Sequence, residues 1–599
     1  MFGCLRPHQV GVLLAASCLA FGFASCSENG LEDETLNDIA QDWMSLCRNC
    51  MAVAQAPTVD ARTAFHLSAA MYEAWAAYDE VTTGYFTGHR LKVDPSERSL
   101  VHTHETLSHA AYALLRARFA NMPGAGTPGT PGNTAYQALK NKMLFYGYVN
   151  NLGAPTPSPA QALGATIGEI VLEFAANDGA NEANGYVDTS GYAPLNNPTI
   201  SEESGSNGMA YPNNWAPLIA MGATQEQSYL TPHWGEVSTF AIGPFDPDTP
   251  RFPVPAPPLL GTESEQQFID EAVEVLRISS SLDPTAGPGA VAVNLSPRVR
   301  GIDTPGIIYE SHGHAMNPYT REPYEDHIVP LGDYLRALAM YHDGATYVTP
   351  PPWWIEVATG LMRGEGVVDQ IPANKHKRYD LGYDVKLYFI VTAAVHDAAI
   401  NCWDIKRRWD TSRPISQVRY LDEEGLLPVE EGFIELIGEE DPLAGEGGEF
   451  VGRYKVMAWA GPNQGVDWIR VADWRPYQPL DFVAPPFPAY NSGHTNMSRA
   501  AAEAFTAFTN DPYFPGGLGR VPVDELRFEE DLSTRVTLQW ATYQDIADET
   551  AFARLTTGVH VRADLEWGRP TGAAVGQMVV EKAFDYFEGR GVAVAKDFQ

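Results

Sequence analysis

Apolar positions recur along this chain at the helical period far more often than at the strand period. From Asp60 to Val81 (DARTAFHLSAAMYEAWAAYDEV), Phe65, Leu67, Ala70, Met71, Trp75 and Tyr78 fall along one face at three- and four-residue spacings. The same pattern predicts helices over about 101–121, 134–149 and 159–177. It returns over about 264–280, 330–342, 353–363, 381–409, 495–508, 535–557 and 571–588. Between these groups, residues 179–262 turn rich in Gly, Pro, Asn and Ser (ANDGANEANGYVDTSGYAPLNNP, PFDPDTPRFPVPAPP), which reads as long irregular connections and not as a repeat. The acidic stretch Asp422 to Glu449 lies between two predicted helices and reads as a solvated excursion. An all-α protein with ornate loops is expected, organised as a helical region at 27–180, an irregular connection at 181–262 and a second helical region at 263–599.

The beginning of the chain departs from this pattern. Arg6, an apolar run from Val10 to Phe23, and the small residues Ala24 and Ser25 before Cys26 read as an export signal over 1–25, too short to span a bilayer. Phe23-Ala24-Ser25-Cys26 resembles a bacterial lipobox, with Phe23 where leucine is usual, so the expectation is membrane attachment through a lipidated Cys26, with ordinary cleavage and secretion as the alternative. Either route exports the protein. Cys47 and Cys50 then read as a local disulfide, the alternatives being a redox pair or half of a metal site. Cys402 reads as a small buried hydrophobe.

Composition confirms a globular chain and restricts its partners. Of 599 residues 44% are hydrophobic and 19% charged, which suits a folded core. Against 40 Lys and Arg stand 75 Asp and Glu, and the resulting net charge of −35 disfavours nucleic acid. Any anionic ligand must therefore be held by a local cluster of cations.

Three blocks in the last third supply such a cluster. The first is Cys402-Trp403-Asp404-Ile405-Lys406-Arg407-Arg408-Trp409-Asp410-Thr411-Ser412-Arg413-Pro414. On a helix Lys406 and Arg413, seven residues apart, share a face, and Pro414 ends the helix; solvated helix-end charges are the bland alternative. In the second, Pro485-Pro486-Phe487-Pro488-Ala489-Tyr490-Asn491-Ser492-Gly493-His494 leads into a helix. A hydroxyl, an unobstructed amide and an imidazole at a helix N-terminus form an anion seat. A nucleophilic serine, or a Ser N-cap beside an exposed histidine, would use the same residues. The third block, Arg554 to Asp564, places His560 and Asp564 one helical turn apart, so that Asp564 fixes the imidazole tautomer and leaves the other nitrogen for a ligand. Arg407, Arg408 and Arg562 read as surface or supporting charges, and His312, His314 and His327 have no ligand-like companions.

Taken together and in order, K-x6-R-P, S-G-H and R-x5-H-x3-D resemble the oxyanion site of the vanadium-dependent haloperoxidases and of the related acid and phosphatidic-acid-type phosphatases. The likeness is strongest over 380–590, with weaker echoes of bacterial haloperoxidases in Ala69-Ala70-Met71-Tyr72-Glu73-Ala74-Trp75 and Leu230-Thr231-Pro232-His233-Trp234-Gly235. The resemblance implies helical bundles with the site at the end of one of them. It implies vanadate as cofactor, His560 as its axial ligand, and Lys406, Arg413, Arg554, Ser492 and the Gly493 amide around its oxygens. His494 would act as general base toward hydrogen peroxide and Lys406 would polarise the bound oxidant, with Trp403 and Phe487 facing the halide. Phe487 is similar to the residue of chloroperoxidases. The products would be hypohalous acid or an equivalent, acting on an organic halogen acceptor. In a phosphatase His560 would be the phosphorylated nucleophile and His494 the acid; a non-catalytic surface lipoprotein is the third possibility. Two departures stand out: Asn491 where proline often precedes Ser-Gly-His, and Ala553 where serine often precedes the arginine.

Overall fold

Asp380 opens the longest of the described helices, its carboxylate accepting the Tyr383 backbone N–H at 2.8 Å, and the helix then runs from Leu381 to Trp409. Its composition and length would suffice to cross a membrane, yet 94% of its most apolar window is buried by other parts of the protein. The computed structural model describes residues 38–54, 56–148, 157–299, 313–343, 349–363, 380–529 and 531–595. The expected signal, with Cys26, lies outside them.

Thirteen α-helices are described, as the all-α expectation requires: α1 Ile39–Ala54, α2 Pro57–Ala76, α3 Leu100–Phe119, α4 Pro131–Phe145, α5 Pro159–Ala176, α6 Glu265–Ser279, α7 Leu331–Asp343, α8 Pro350–Arg363, α9 Leu381–Trp409, α10 Pro414–Glu423, α11 Gly493–Thr509, α12 Tyr543–Thr556 and α13 Arg562–Phe587. Helix α9 is the axis. On one side it packs on α2 and on the other on α11 and α13. The α2 contact is aromatic and polar at once: Tyr72 stacks on Phe389 with centroids 4.6 Å apart, and the Ser68 and Thr392 hydroxyls share a hydrogen bond of 2.6 Å. One core cluster consequently runs from Ile39 in α1 to Phe587 in α13. In the Ala69–Trp75 stretch, the buried Glu73 carboxylate accepts the Phe86 and Thr87 N–H groups at 2.7 and 3.1 Å, while the Lys386 ammonium of α9 lies 4.8 Å from the Trp75 ring centroid.

Several expectations change. Residues 535–557 are not one helix: Val536–Trp540 is a strand paired antiparallel with Gly519–Val523, and only Tyr543–Thr556 is helical. Val536, Leu538 and Trp540 are buried in alternation, the strand period that a helical reading overrode. The last helix begins at Arg562 and not near 571, carrying Pro570 inside it; the Trp567 carbonyl there takes the Thr571 hydroxyl at 2.8 Å. The acidic excursion after α10 leads into a three-stranded antiparallel sheet (Ile434–Leu436, Tyr454–Trp459, Val466–Arg470). Asp422 at its start is buried and accepts the Tyr454 N–H at 2.9 Å. Cys47 and Cys50 are free and buried on α1, not disulfide-bonded. Burial raises both thiols, Cys50 to about 12, and mid-helix geometry does not favour closing so small a ring.

The irregular residues 181–262 are fastened to α9. Asp397 accepts the N–H groups of Phe240 and Ala241 at 2.6 Å each and of Ile242 at 3.2 Å. The Leu230–Gly235 stretch lies on the same helix: the Leu230 carbonyl accepts Trp403 Nε1–H at 2.9 Å, and Gly235 passes so close to Asp404 that a Cβ would stand 3.0 Å from its Cα.

Candidate oxyanion site

Five helix ends meet around one cavity. Helix α9 delivers Trp403 and Lys406 on its last turns and stops where Asp410 adopts left-handed φ (48°), its N–H returning to the Lys406 carbonyl. Arg413 is therefore not on the helix that carries Lys406, contrary to the sequence expectation. It is the extended residue before α10, whose first residue is Pro414, a ring already set for helical φ. Ser492 caps α11, its hydroxyl accepting Thr495 N–H at 3.4 Å, and Gly493 and His494 form the first turn. Arg554 ends α12. His560 and Asp564 do not share a helical turn: His560 precedes α13, and Asp564 in the first turn reaches back to accept the Val561 N–H (3.2 Å) and His560 Nδ1–H (2.8 Å). The pairing is the expected one; the geometry is a helix start.

A stripe of glycines on α13 fixes the relation between the second and third blocks. At Gly568, Gly572 and Gly576 a Cβ would meet Thr495 Cβ at 2.9 Å, the Asn496 carbonyl oxygen at 2.4 Å and Glu503 Cβ at 2.7 Å, so α13 lies directly on the backbone of α11. The Tyr490–Asn491 peptide leading into α11 is cis.

The cavity, about 80 Å³, is lined among others by Trp403, Phe487, Gly493, His494, Arg554 and His560, room for several waters or one small tetrahedral anion. Lys406 and Arg413 stand just behind this lining, their cations 5.3 and 5.1 Å from the Phe487 ring centroid. Lys406 is fully buried and donates to the Pro488 and Ala489 carbonyls at 2.7 Å each. Arg413 donates to the Phe487 and Val559 carbonyls at 2.9 and 2.8 Å and to His560 Nε2 at 3.1 Å. Trp403 and Phe487 pack at 4.7 Å between centroids and wall the cavity. Cys402 is buried, its thiol donating to the Asn491 carbonyl at 3.3 Å.

Burial sets the electrostatics. It brings the Lys406 ammonium down to about 7 and the Arg413 and Arg554 guanidinium groups to about 10 and 9. Burial first, then His342, Arg413 and Lys406, hold His494 at about 3, so its ring is neutral and, with no anion beside it, a weak base. His560 is likewise held far below the ordinary imidazole value, by burial and then by Arg413, Lys406 and Arg554. Burial pushes Asp564 up to about 6 against the pull of Lys406 and Arg413, leaving it ionised at neutral pH. Cations gathered in so small a dry space are relieved by an anion. Arg554 Nε and His494 Nε2 are buried with no hydrogen-bond partner among the described residues, and both belong to residues of the cavity wall. The described residues contain no group of three or more His, Cys, Asp or Glu suited to a bare metal ion. The donor set fits an oxyanion.

One partner carried no sequence signal: Asp343, the last residue of α7. It is ion-paired with Arg554, accepts Gln478 Nε2–H at 2.7 Å and lies 3.9 Å from His494 Nε2. Outside the cavity, Arg408 pairs with Asp404 and Arg562 with Glu274, and Arg407 covers the Tyr192 ring at 5.0 Å. His314 pairs with Asp545 at 3.1 Å, His327 accepts the Thr537 N–H at 3.0 Å, and His312 lies outside the described residues.

Residues 386–589 match the family model described as the VCPO second helical-bundle domain. Among solved structures, the apo- and holo-type bacterial vanadium-dependent chloroperoxidase align with TM-scores of 0.63 at 16% identity, covering 89% and 90% of this chain and 94% and 95% of theirs. The first bacterial vanadium-dependent iodoperoxidase aligns with a TM-score of 0.54 at 17% identity, covering 91% of this chain and 96% of its own. No curated protein sequence matches. Residues 386–589 thus match the model of the VCPO second helical-bundle domain, and the chain shares the fold of bacterial vanadium-dependent peroxidases over nearly its whole length.

Proposed function

We propose that the protein is a vanadate-dependent peroxidase that oxidises halide with hydrogen peroxide to hypohalous acid or an equivalent oxidised halogen, which then halogenates an organic acceptor. The observation that carries this reading is the convergence of the three sequence blocks on one cavity, with His560 Nε2 directed away from Asp564 and toward Arg413. Vanadate, when bound, supplies a Lewis acid that activates peroxide without changing oxidation state. In this reading His560 holds the metal, Asp564 keeps the imidazole in the Nδ1–H tautomer, and Lys406, Arg413, Arg554, Ser492 and the Gly493 N–H hold the oxygens. Charge-assisted bonds of this kind contribute about 1.5–3 kcal/mol each, enough in sum to retain an anion inside an acidic protein. His494 takes the peroxide proton once the bound anion offsets Arg413 and Lys406, two of the cations that hold its ring far below the ordinary imidazole value. Trp403 and Phe487 offer halide an apolar wall, and bromide or iodide is the expected substrate, with chloride allowed by Phe487. Export, with lipid on Cys26, belongs to the same proposal; the mass of the mature N-terminus tests it.

One paired assay tests the function. The mature protein is given orthovanadate, peroxide and bromide while bromination of a diketone is followed, and in parallel an aryl phosphate without vanadate. Vanadate-dependent bromination is expected. Phosphate release without bromination would instead assign His560 as a phosphatase nucleophile, and silence in both arms would leave a non-catalytic surface protein.

A further inference from the structure

Met497 sits on α11 one turn beyond Gly493 and lines the same cavity. Its methyl carbon stands 3.4 Å from where a Cβ on Gly493 would be. Elsewhere it is enclosed, with 1% of its surface exposed, so a reagent in bulk solvent meets the exposed methionines before it. Cys402 lies across Gly493, its Sγ 3.9 Å from the same point. Burial pushes that thiol up to about 11, which withholds the reactive thiolate. A thioether needs no ionisation to be oxidised.

We propose that Met497 is the first residue of this protein to be oxidised by the halogen species released in its own cavity, and that the methionine sulfoxide formed slows the site that produced it. The inference rests on the peroxidase reading above. The thioether sulfur attacks the halogen of hypohalous acid and displaces hydroxide. Water then adds to sulfur, and the S–O bond forms as halide leaves and protons are shed. In balance, thioether and hypohalous acid give sulfoxide, halide and one proton; sulfur gives up an electron pair and the halogen takes it. The change places a polar oxygen on an apolar wall beside Gly493, in a cavity of about 80 Å³ with little room to yield.

The test uses the vanadate-loaded protein with bromide and peroxide and no organic acceptor. Samples are taken as turnover proceeds, and peptides are mapped by mass for oxygen gained on each methionine. A second portion, without vanadate, receives hypobromite added to the solution. Met316 and Met578, 47% and 40% exposed, serve as internal references. Under turnover Met497 should gain oxygen before either reference, in step with a falling bromination rate, whereas added hypobromite should oxidise the references first. Met497→Leu, which conserves volume, should sustain bromination for several-fold more turnovers. Should that variant not fold, the peptide map of the native protein decides alone. Oxidation of Met316 and Met578 under turnover with Met497 intact overturns the inference and leaves the peroxidase reading standing; absence of bromination overturns both.

Discussion

Lys406 is a lysine that burial holds at about 7, so its charge is conditional in a way that no other cation of the cavity shares. As pH rises through about 7 the ammonium of the anion-free protein yields its proton, and binding an oxyanion must then first restore it. Vanadate affinity should therefore fall on the alkaline side, and less steeply in Lys406→Arg, whose guanidinium keeps its charge. Equal slopes in the two proteins would count against the role. The folded value lies below the ~10.4 of an unfolded lysine, so between about 7 and 10.4 the unfolded chain binds more protons, and this group's contribution to the stability of the anion-free protein grows with pH there. His560→Ala should weaken vanadate retention by more than ~100-fold, and Asp564→Asn by ~10–100-fold through the imidazole it orients; equilibrium dialysis checks both. His494→Ala should keep the anion and slow bromination by ~10²–10⁴-fold, read as kcat. At this scale the sequence was informative because each block carries its chemistry in side-chain types at short fixed spacings. Asp343 was illegible because nothing in the chain near it announces the distant Arg554 it neutralises.

At the scale of elements, periodicity located most helices and misplaced their joints. It extended one helix through Asp410 to Arg413, where a left-handed residue and the extended Arg413 turn the chain instead. It also read the alternating Val536–Trp540 as helix, because a five-residue strand is too short to outvote the helical run that follows. The glycines at 568, 572 and 576 were in plain view at four-residue intervals, yet a helix-forming pattern gives them no meaning until α11 is known to lie against them. They carry a prediction. Gly572→Ala forces a methyl against the Asn496 carbonyl and should cost about 1–3 kcal/mol in denaturant unfolding. Because α11 and α13 bear Ser492, Gly493 and Asp564, the same change should weaken vanadate binding. Unaltered stability would mean that the two helices separate freely.

For the whole molecule, two properties act on the cavity from a distance. A net charge of −35 opposes the approach of any anion, so raising ionic strength with a non-halide salt should speed vanadate uptake at pH 7 by screening that field. Uptake slowed by salt would place the controlling field in the local cations alone. Connectivity is the second property. The family match begins at residue 386, inside α9, yet the face of that helix carrying Phe389 and Thr392 is covered by Tyr72 and Ser68 of α2. Residues 386–589 expressed alone should therefore aggregate or stay unfolded, as circular dichroism would reveal. The core that passes unbroken from Ile39 to Phe587 leaves no seam at which a damaged molecule can come apart in stages. Heating should take the pocket and the amino-terminal helices together, so that release of vanadate doubles as a thermometer for a helix that never touches it.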